Sequence, residues 1–142
     1  MKLGIVAGVV LVAGLGGYLL LSSAPKEAEV ATPNEGGAMV AISLPETLGS
    51  NAKIGERLFN AKCVACHGAT GVGVEGSGPP LVHKIYEPSH HADEAFQRAV
   101  QQGVRAHHWR FGDMPPVEGL TRGDVKMIVT YIREIQRENG IL

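Results

Sequence analysis

The two cysteines of this chain lie in one short motif, Cys63-Val64-Ala65-Cys66-His67. In a helix, positions i, i+3 and i+4 share one face, so both sulfurs and the imidazole can approach a flat ligand from the same side. This arrangement suits two thioether bonds to the vinyl groups of a haem, and C-x-x-C-H is the haem-attachment signature. We therefore predict one haem c, attached covalently through Cys63 and Cys66, with His67 as a ligand of the iron.

Three other kinds of site use similar residues. A redox C-x-x-C favours a βαβ setting, which the sequence does not indicate. A zinc site needs two further ligands at paired spacing, for which the His-His pairs at 90–91 and 107–108 are loose candidates. A disulfide across two residues would be strained and would close almost no loop. Covalent haem is the interpretation that the spacing favours.

Residues 51–142 resemble the small monohaem, class I cytochromes c of bacteria, and the similarity extends beyond the haem motif. Gly55 and Phe59, together with Tyr131, are similar to the contact that this family makes where its terminal helices cross. The resemblance implies an all-α domain, the small cytochrome c fold, with three main helices and long Gly- and Pro-rich loops wrapped around a covalent haem.

The tetrapeptide Gly78-Pro79-Pro80-Leu81 resembles the G-P-x-L loop of the same family. In that loop a proline carbonyl accepts the proton on the second nitrogen of the coordinating histidine. The resemblance implies that Pro79 fixes the tautomer and orientation of His67, as a partner of a metal ligand does. It also places Leu81 among the residues that contact the haem.

The sixth iron ligand is expected from a loop on the opposite face of the haem. Met114 lies in the stretch Phe111-Gly112-Asp113-Met114-Pro115-Pro116, where the following proline disfavours helix and holds the backbone extended. The family's axial methionine also commonly precedes a proline, so we predict a His67/Met114 iron. His107 and His108 are the rival ligands, and they are otherwise expected as partly exposed loop residues.

Other residues are weaker candidates for chemistry. Trp109 and Arg110 carry only hydrogen-bond donors and are predicted to bind the haem propionates. Residues 71–76 match G-x-G-x-x-G, but no predicted strand precedes them, so nucleotide binding is rejected and a close backbone approach to the porphyrin is favoured. The remaining histidines are expected at the surface, with a copper-binding or pH-sensing role as the alternative; they are His83, His90 and His91.

Helical periodicity appears in three segments of the chain. The first lies near 52–65, with an N-cap at Ser50 or Asn51 and an apolar face of Ile54, Leu58 and Phe59. The second lies near 91–102 and is expected to stop at Gly103. The third, 122–139, is preceded by a pair resembling a capping box, Thr121 and Asp124, and carries an apolar stripe: Val125, Ile128, Val129, Ile132 and Ile135.

Two segments precede this predicted domain. Residues 3–21 contain no charged residue and are long enough to cross a bilayer, so 1–21 is predicted as a membrane anchor or signal helix, with the rest of the chain exported to the periplasm. The alternative is cleavage of this segment and a soluble periplasmic protein. Residues 22–50 are rich in proline, glycine and glutamate and are predicted as a flexible linker.

The composition narrows the possible functions. The chain has 13 basic and 14 acidic residues, which argues against nucleic-acid binding. With both axial positions filled by protein, iron has no open site for a small-molecule substrate, so an electron carrier of the respiratory chain or periplasm is expected rather than an enzyme. Its partners would then be a redox donor and acceptor. The alternatives are a haem relay subunit of a larger oxidase or dehydrogenase and an open-site peroxidase or gas-binding protein.

Overall fold

The computed structural model describes residues 37–142, so the predicted anchor, 1–21, and the first part of the predicted linker lie outside the described residues. Four α-helices follow one another in this part of the chain: α1 (Ser50–Lys62), α2 (Val64–His67), α3 (Asp93–Gln102) and α4 (Arg122–Glu138). Short 3-10 turns span Ala69–Gly71 and Lys84–Tyr86. Only isolated β-bridges connect the loops of the described range, so the predicted all-α class is confirmed.

The centre of the fold is the crossing of α1 and α4. A Cβ on Gly55 would lie 1.9 Å from the carbonyl oxygen of Met127, so the two backbones meet at a distance that only glycine permits. One helical turn further on, Phe59 and Tyr131 pack with ring centroids 5.7 Å apart. Both aromatic residues are almost fully buried. This is the crossing contact that the resemblance implied.

The predicted start and face of the first helix need correction. Its N-cap is Gly49, so the predicted caps, Ser50 and Asn51, lie inside the helix. Ile54 is 40% exposed, because α1 turns its face of small residues, with Ala52 and Gly55, toward α4. A close helix crossing buries small residues, and the side chain of Ile54, which precedes Gly55, lies outside it.

The last helix follows its prediction. At the start of α4, the Thr121 hydroxyl accepts from the Asp124 backbone N–H, and the Asp124 carboxylate accepts from the Thr121 backbone N–H. This capping box gives hydrogen-bond partners to two backbone N–H groups that would otherwise lack one at the start of the helix. The predicted apolar stripe is buried along its length.

The predicted linker ends earlier than expected. Within its C-terminal part, Ile42 is only 3% exposed and belongs to the core. The Ser43 backbone N–H donates to Asn139 Oδ1 at 2.8 Å, and Asn139 Nδ2 donates to the Ser43 carbonyl at 2.8 Å. Apolar burial and these paired hydrogen bonds hold residues 37–49 against the end of α4, so the folded unit begins before the predicted boundary at 51.

A buried guanidinium connects α4 to the segment before α3. Arg133 donates from Nε to Asp93 Oδ1 at 2.9 Å and from Nη1 to the Tyr86 carbonyl at 2.6 Å. Its Nη2 donates to the His91 carbonyl at 2.5 Å. A rigid fork of donors bound to backbone carbonyls fixes the path of that segment. The sequence analysis did not identify this residue.

Between residues 37 and 142, no helix combines the length and apolar character needed to cross a membrane.

The helix crossing yields a prediction about stability. Alanine normally stabilises a helix over glycine by about 1 kcal/mol, but the Cβ of Gly55→Ala would overlap the Met127 carbonyl. We expect this substitution to lower the free energy of unfolding by about 1–3 kcal/mol, as overpacking does, measured by urea unfolding of the haem-loaded protein.

Gly123→Ala is the matched control, because a Cβ there meets only the Thr121 hydroxyl at 3.5 Å. This variant should unfold at the same urea concentration as wild type or a higher one. Equal stability of Gly55→Ala and wild type would show that the two helices are not held at this distance.

Candidate functional site

The Cys63–His67 motif sits where α1 ends. Cys63 interrupts the helix, and α2 then forms a single turn in which the backbone N–H groups of Cys66 and His67 donate to the Cys63 carbonyl at 3.2 and 3.0 Å. Both thiols are free; Cys63 is half-buried and Cys66 is exposed. The structure thus brings the two cysteines and the histidine onto one turn, and the strained disulfide is not formed.

The imidazole of His67 is held in one orientation. Its Nδ1 lies 2.9 Å from the carbonyl oxygen of Pro79, and since a carbonyl only accepts, Nδ1 carries the proton. The lone pair of Nε2 is therefore available to a metal. Burial lowers the pKa of His67, and the bond to Pro79 opposes this in part. The neutral imidazole, which is the form that binds metals, is favoured.

Close backbone packing places Pro79 beside His67. A Cβ on Gly78 would lie 2.5 Å from the Cys66 carbonyl oxygen, so the loop rests directly on α2. The Gly73 backbone N–H donates to the His67 carbonyl at 2.7 Å, and the Leu81 N–H donates to the Gly71 carbonyl at 2.8 Å. The loop is therefore fixed on both sides of Pro79.

Leu81 is tied to the last helix. Its carbonyl accepts a hydrogen bond from Gln136 Nε2 at 2.8 Å, and its half-buried side chain packs against the core. Gln136 is completely buried, and its Oε1 accepts from Arg133 at 2.6 Å. Neither residue was predicted from the sequence, although two polar side chains beside the apolar stripe of α4 were a signal for such a pair.

The thiol of Cys63 is not set up for disulfide chemistry. Burial, with a smaller contribution from Cys66, raises the pKa of Cys63 to about 11. Because the thiolate is the nucleophile in thiol–disulfide exchange, a thiol protonated at neutral pH reacts slowly. This favours the haem interpretation of the motif over the redox C-x-x-C alternative.

Met114 lies on a separate loop whose two ends are joined by backbone hydrogen bonds. Met114 and Val104 exchange both backbone hydrogen bonds, each 2.9 Å long. Gly103 has φ +76 and approaches the Met114 carbonyl so closely that a Cβ would lie 2.4 Å away. Met114 is half-buried, while Pro115 after it is exposed. Its backbone is thus fixed at the base of the loop, and its role toward iron stays a prediction.

The indole donor of Trp109 is buried and has no well-formed hydrogen bond in the described range. Its Nε1 makes no hydrogen bond of normal geometry with residues 37–142, although the Tyr86 hydroxyl is near enough for Trp109 to lower the pKa of that phenol against the larger effect of burial. The ring is held between Phe111, stacked at 5.8 Å, and His83, edge-on at 5.3 Å. A buried N–H normally has a well-aligned partner, so this donor can bind an acceptor that a cofactor brings. Arg110, the other predicted propionate ligand, is exposed.

The residues present fit a covalent haem c. They supply two free thiols on one turn, a neutral imidazole with its Nε2 available, and a buried indole N–H that an acceptor such as a propionate could bind. Cys63, Cys66, His67 and Pro79 form one continuous cluster. Met114, Trp109 and Arg110 belong to the separate loop 103–116.

The rival axial ligands, His107 and His108, lie elsewhere on that loop. Both are exposed, and the Nε2 of His108 is 3.4 Å from the Nε2 of His90. The ring of His107 lies 4.3 Å from that of His108, and its Nδ1 donates to the Arg105 carbonyl at 2.8 Å. His90, His91, His107 and His108 therefore gather in one place, although their sequence spacing indicated only two loose pairs.

Comparisons with known proteins agree with this geometry. The family model described as Cytochrome c matches residues 52–136, more than half of the chain. The chain is also similar to the Cbb3-type cytochrome c oxidase subunit FixP of Bradyrhizobium diazoefficiens, with 36% identity over 95 residues. That alignment covers 65% of this chain and 30% of FixP, so the chain spans about a third of this relative's length. No solved structure gave a significant match.

The haem motif, the oriented histidine, the helix crossing and the family match coincide in one folded unit. The chain therefore belongs to the cytochrome c family, in its class I, and is an electron-transfer protein with covalently bound haem c.

Proposed function

We propose that this protein is a one-electron carrier whose iron is bound between His67 Nε2 and Met114 Sδ. The observation that carries the proposal is the hydrogen bond from His67 Nδ1 to the Pro79 carbonyl, which leaves Nε2 as the free ligand atom of a buried, neutral imidazole. Haem c supplies a reversible one-electron couple when bound. Pro79 then acts by holding the imidazole plane and by making His67 a more basic ligand.

Met114 is the better sixth ligand on two grounds. Its backbone is fixed by the pairing with Val104, whereas His107 and His108 are exposed and in contact with other histidines. A thioether is a soft donor that stabilises ferrous iron, so it raises the reduction potential relative to a second imidazole. Two protein ligands leave no coordination position for a substrate, which supports a carrier rather than an enzyme.

Trp109 and Arg110 are proposed to hold the haem propionates. The indole N–H of Trp109 is buried and lacks a hydrogen bond of normal geometry in the described part of the chain, and a propionate oxygen would give it one. The exposed guanidinium of Arg110 would offset the propionate charge from the solvent side. Both residues would keep the redox centre oriented toward its partners.

The carrier is proposed to exchange electrons with a membrane oxidase complex. The similarity to FixP, a Cbb3-type cytochrome c oxidase subunit, supports this partner class. The second candidate is a relay subunit that stays bound inside such a complex, and the same similarity favours it. We further propose periplasmic placement of the haem domain with a membrane tether formed by residues 3–21, which contain no charge.

Substitution of the proposed sixth ligand tests the iron coordination. Met114→Ala should change the absorption spectrum and lower the midpoint potential by on the order of 100 mV, because axial ligands set the potential of a haem. Potentiometric titration of the purified protein measures the effect. Met127→Leu is the control, since this mid-helix methionine is replaced at nearly constant volume. An unchanged potential in Met114→Ala would remove Met114 from the site.

Carbon monoxide separates the carrier from an open-site haem protein. The reduced wild type should bind the gas poorly at neutral pH, because both axial positions are taken. Met114→Ala should bind it readily, which absorption spectroscopy detects. Tight and rapid binding by wild type would support the peroxidase or gas-binding alternative instead.

Mild detergent extraction tests the oxidase proposal and the tether together. We expect the protein in the membrane pellet after a high-salt wash, and after extraction it should separate from the oxidase as the salt concentration rises, as a transient redox partner does. Membranes from a strain without the oxidase provide the control. Stoichiometric copurification at high salt would identify a fixed relay subunit. Recovery in the soluble periplasmic fraction would contradict the tether.

A further inference from the structure

An imidazole cluster lies outside the proposed haem site. His90, His91 and His108 each offer one ring nitrogen, and these three atoms all lie within 4.8 Å of one another. The Nε2 atoms of His90 and His108 are 3.4 Å apart. Two nitrogens bound tetrahedrally at a Zn–N distance of 2.0–2.1 Å are separated by about 3.3 Å. The His90–His108 pair thus already has the spacing of two ligands of one metal ion, and the ring nitrogen of His91 lies within 4.8 Å of both.

We propose that His90, His91 and His108 form a binding site for a divalent transition-metal cation of the zinc and copper class. Imidazole suits these ions, whereas Mg²⁺ and Ca²⁺ require oxygen ligands. The set offers three protein ligands, so a fourth position would remain for water or another donor. This site uses neither of the proposed ligands of the haem iron.

The orientation of His91 supports the proposal. Its Nδ1 donates to the Ile85 carbonyl at 2.7 Å, so the proton resides on Nδ1 and the Nε2 lone pair is available. Metal-binding histidines commonly have their second nitrogen bonded to a carbonyl in this way. The backbone of His91 is fixed as well, because its own carbonyl accepts from the buried Arg133. His91 is therefore a positioned ligand rather than a freely rotating surface side chain.

The cluster joins two segments that are distant in sequence. His90 and His91 follow the turn Lys84–Tyr86, while His108 belongs to the loop that carries Met114. That loop is braced internally, since the Ala106 backbone N–H donates to Asp113 Oδ1 at 2.8 Å. A cation held by both segments would link the loop to the body of the domain. Binding should therefore also raise the thermal stability of the folded protein.

The cluster is accessible from solvent. His90 and His108 are exposed, so a hydrated cation can reach them. His107 lies beside the three and is available as a further ligand.

Calorimetric titration of the untagged, oxidised, haem-loaded full chain with Zn²⁺ tests the site. We expect one ion per chain for wild type and at least a tenfold weaker affinity for His90→Gln and for His108→Gln. Glu138→Gln is the control, because it removes an exposed cation-binding group that is not part of the cluster and should bind Zn²⁺ as wild type does. Mg²⁺ should give no binding. Unchanged visible and far-ultraviolet spectra will show that the variants are folded.

Cu²⁺ gives an independent readout. The electron paramagnetic resonance spectrum of the protein with one equivalent of Cu²⁺ should show coupling to imidazole nitrogens, and this coupling should be lost in the His90→Gln/His108→Gln double variant. The proposal is overturned if wild type takes up no Zn²⁺ at one ion per chain. It is equally overturned if His108→Gln titrates like wild type or if the double variant keeps the nitrogen coupling.

Discussion

The backbone contact between Gly55 and Met127 is the constraint on which the rest of this structure depends. It sets how closely α1 and α4 approach each other. Each helix then positions one part of the cluster formed by Cys63, Cys66, His67 and Pro79. The end of α1 carries Cys63 to His67. The buried face of α4 holds the loop that contains Pro79, through the hydrogen bond from Gln136 to Leu81. The orientation of the His67 imidazole is therefore determined by a helix crossing that contains no haem ligand.

The helix α4 also holds residues 86–93 in place, through the side chain of Arg133. This guanidinium binds two backbone carbonyls and the Asp93 carboxylate, so the start of α3 and the chain before it are held in place. Removing a buried donor of this kind leaves several acceptors without partners, which is costly. Polar residues of α4 thus organise loops whose own backbone hydrogen bonds are confined to short turns.

Local signals in the sequence were sufficient for part of this structure. The capping pair at Thr121 and the stripe from Val125 to Ile135 define α4, because both depend only on neighbours within the helix. The motif at Cys63–His67 was equally readable. Ile54 was misplaced because the apolar pattern of α1 does not reveal that a close crossing selects small residues. The packing of Ile42 and the role of Arg133 depend on partners far away in the sequence, which periodicity does not specify.

The surface of the domain limits how it can meet a redox partner. Residues 51–142 contain 11 basic and 10 acidic residues, so the charge is nearly balanced and long-range steering toward a partner of one sign is weak. This differs from the lysine-ringed surface of mitochondrial cytochromes c. Recognition then relies on short-range fit, and encounters of that kind are small and transient.

The strap of residues 37–49 gives the domain a defined point of attachment. Ala38 pairs with Val74, and the Met39 backbone N–H donates to the Val72 carbonyl at 3.1 Å, so the chain enters next to the glycine-rich loop near the haem motif. A force applied to the polypeptide on that side would act on these pairings, and on the two hydrogen bonds between Ser43 and Asn139, before it acted on α1. A load applied to the chain before residue 38 would therefore leave the Cys63–His67 turn and the hydrogen bond from His67 to Pro79 in place.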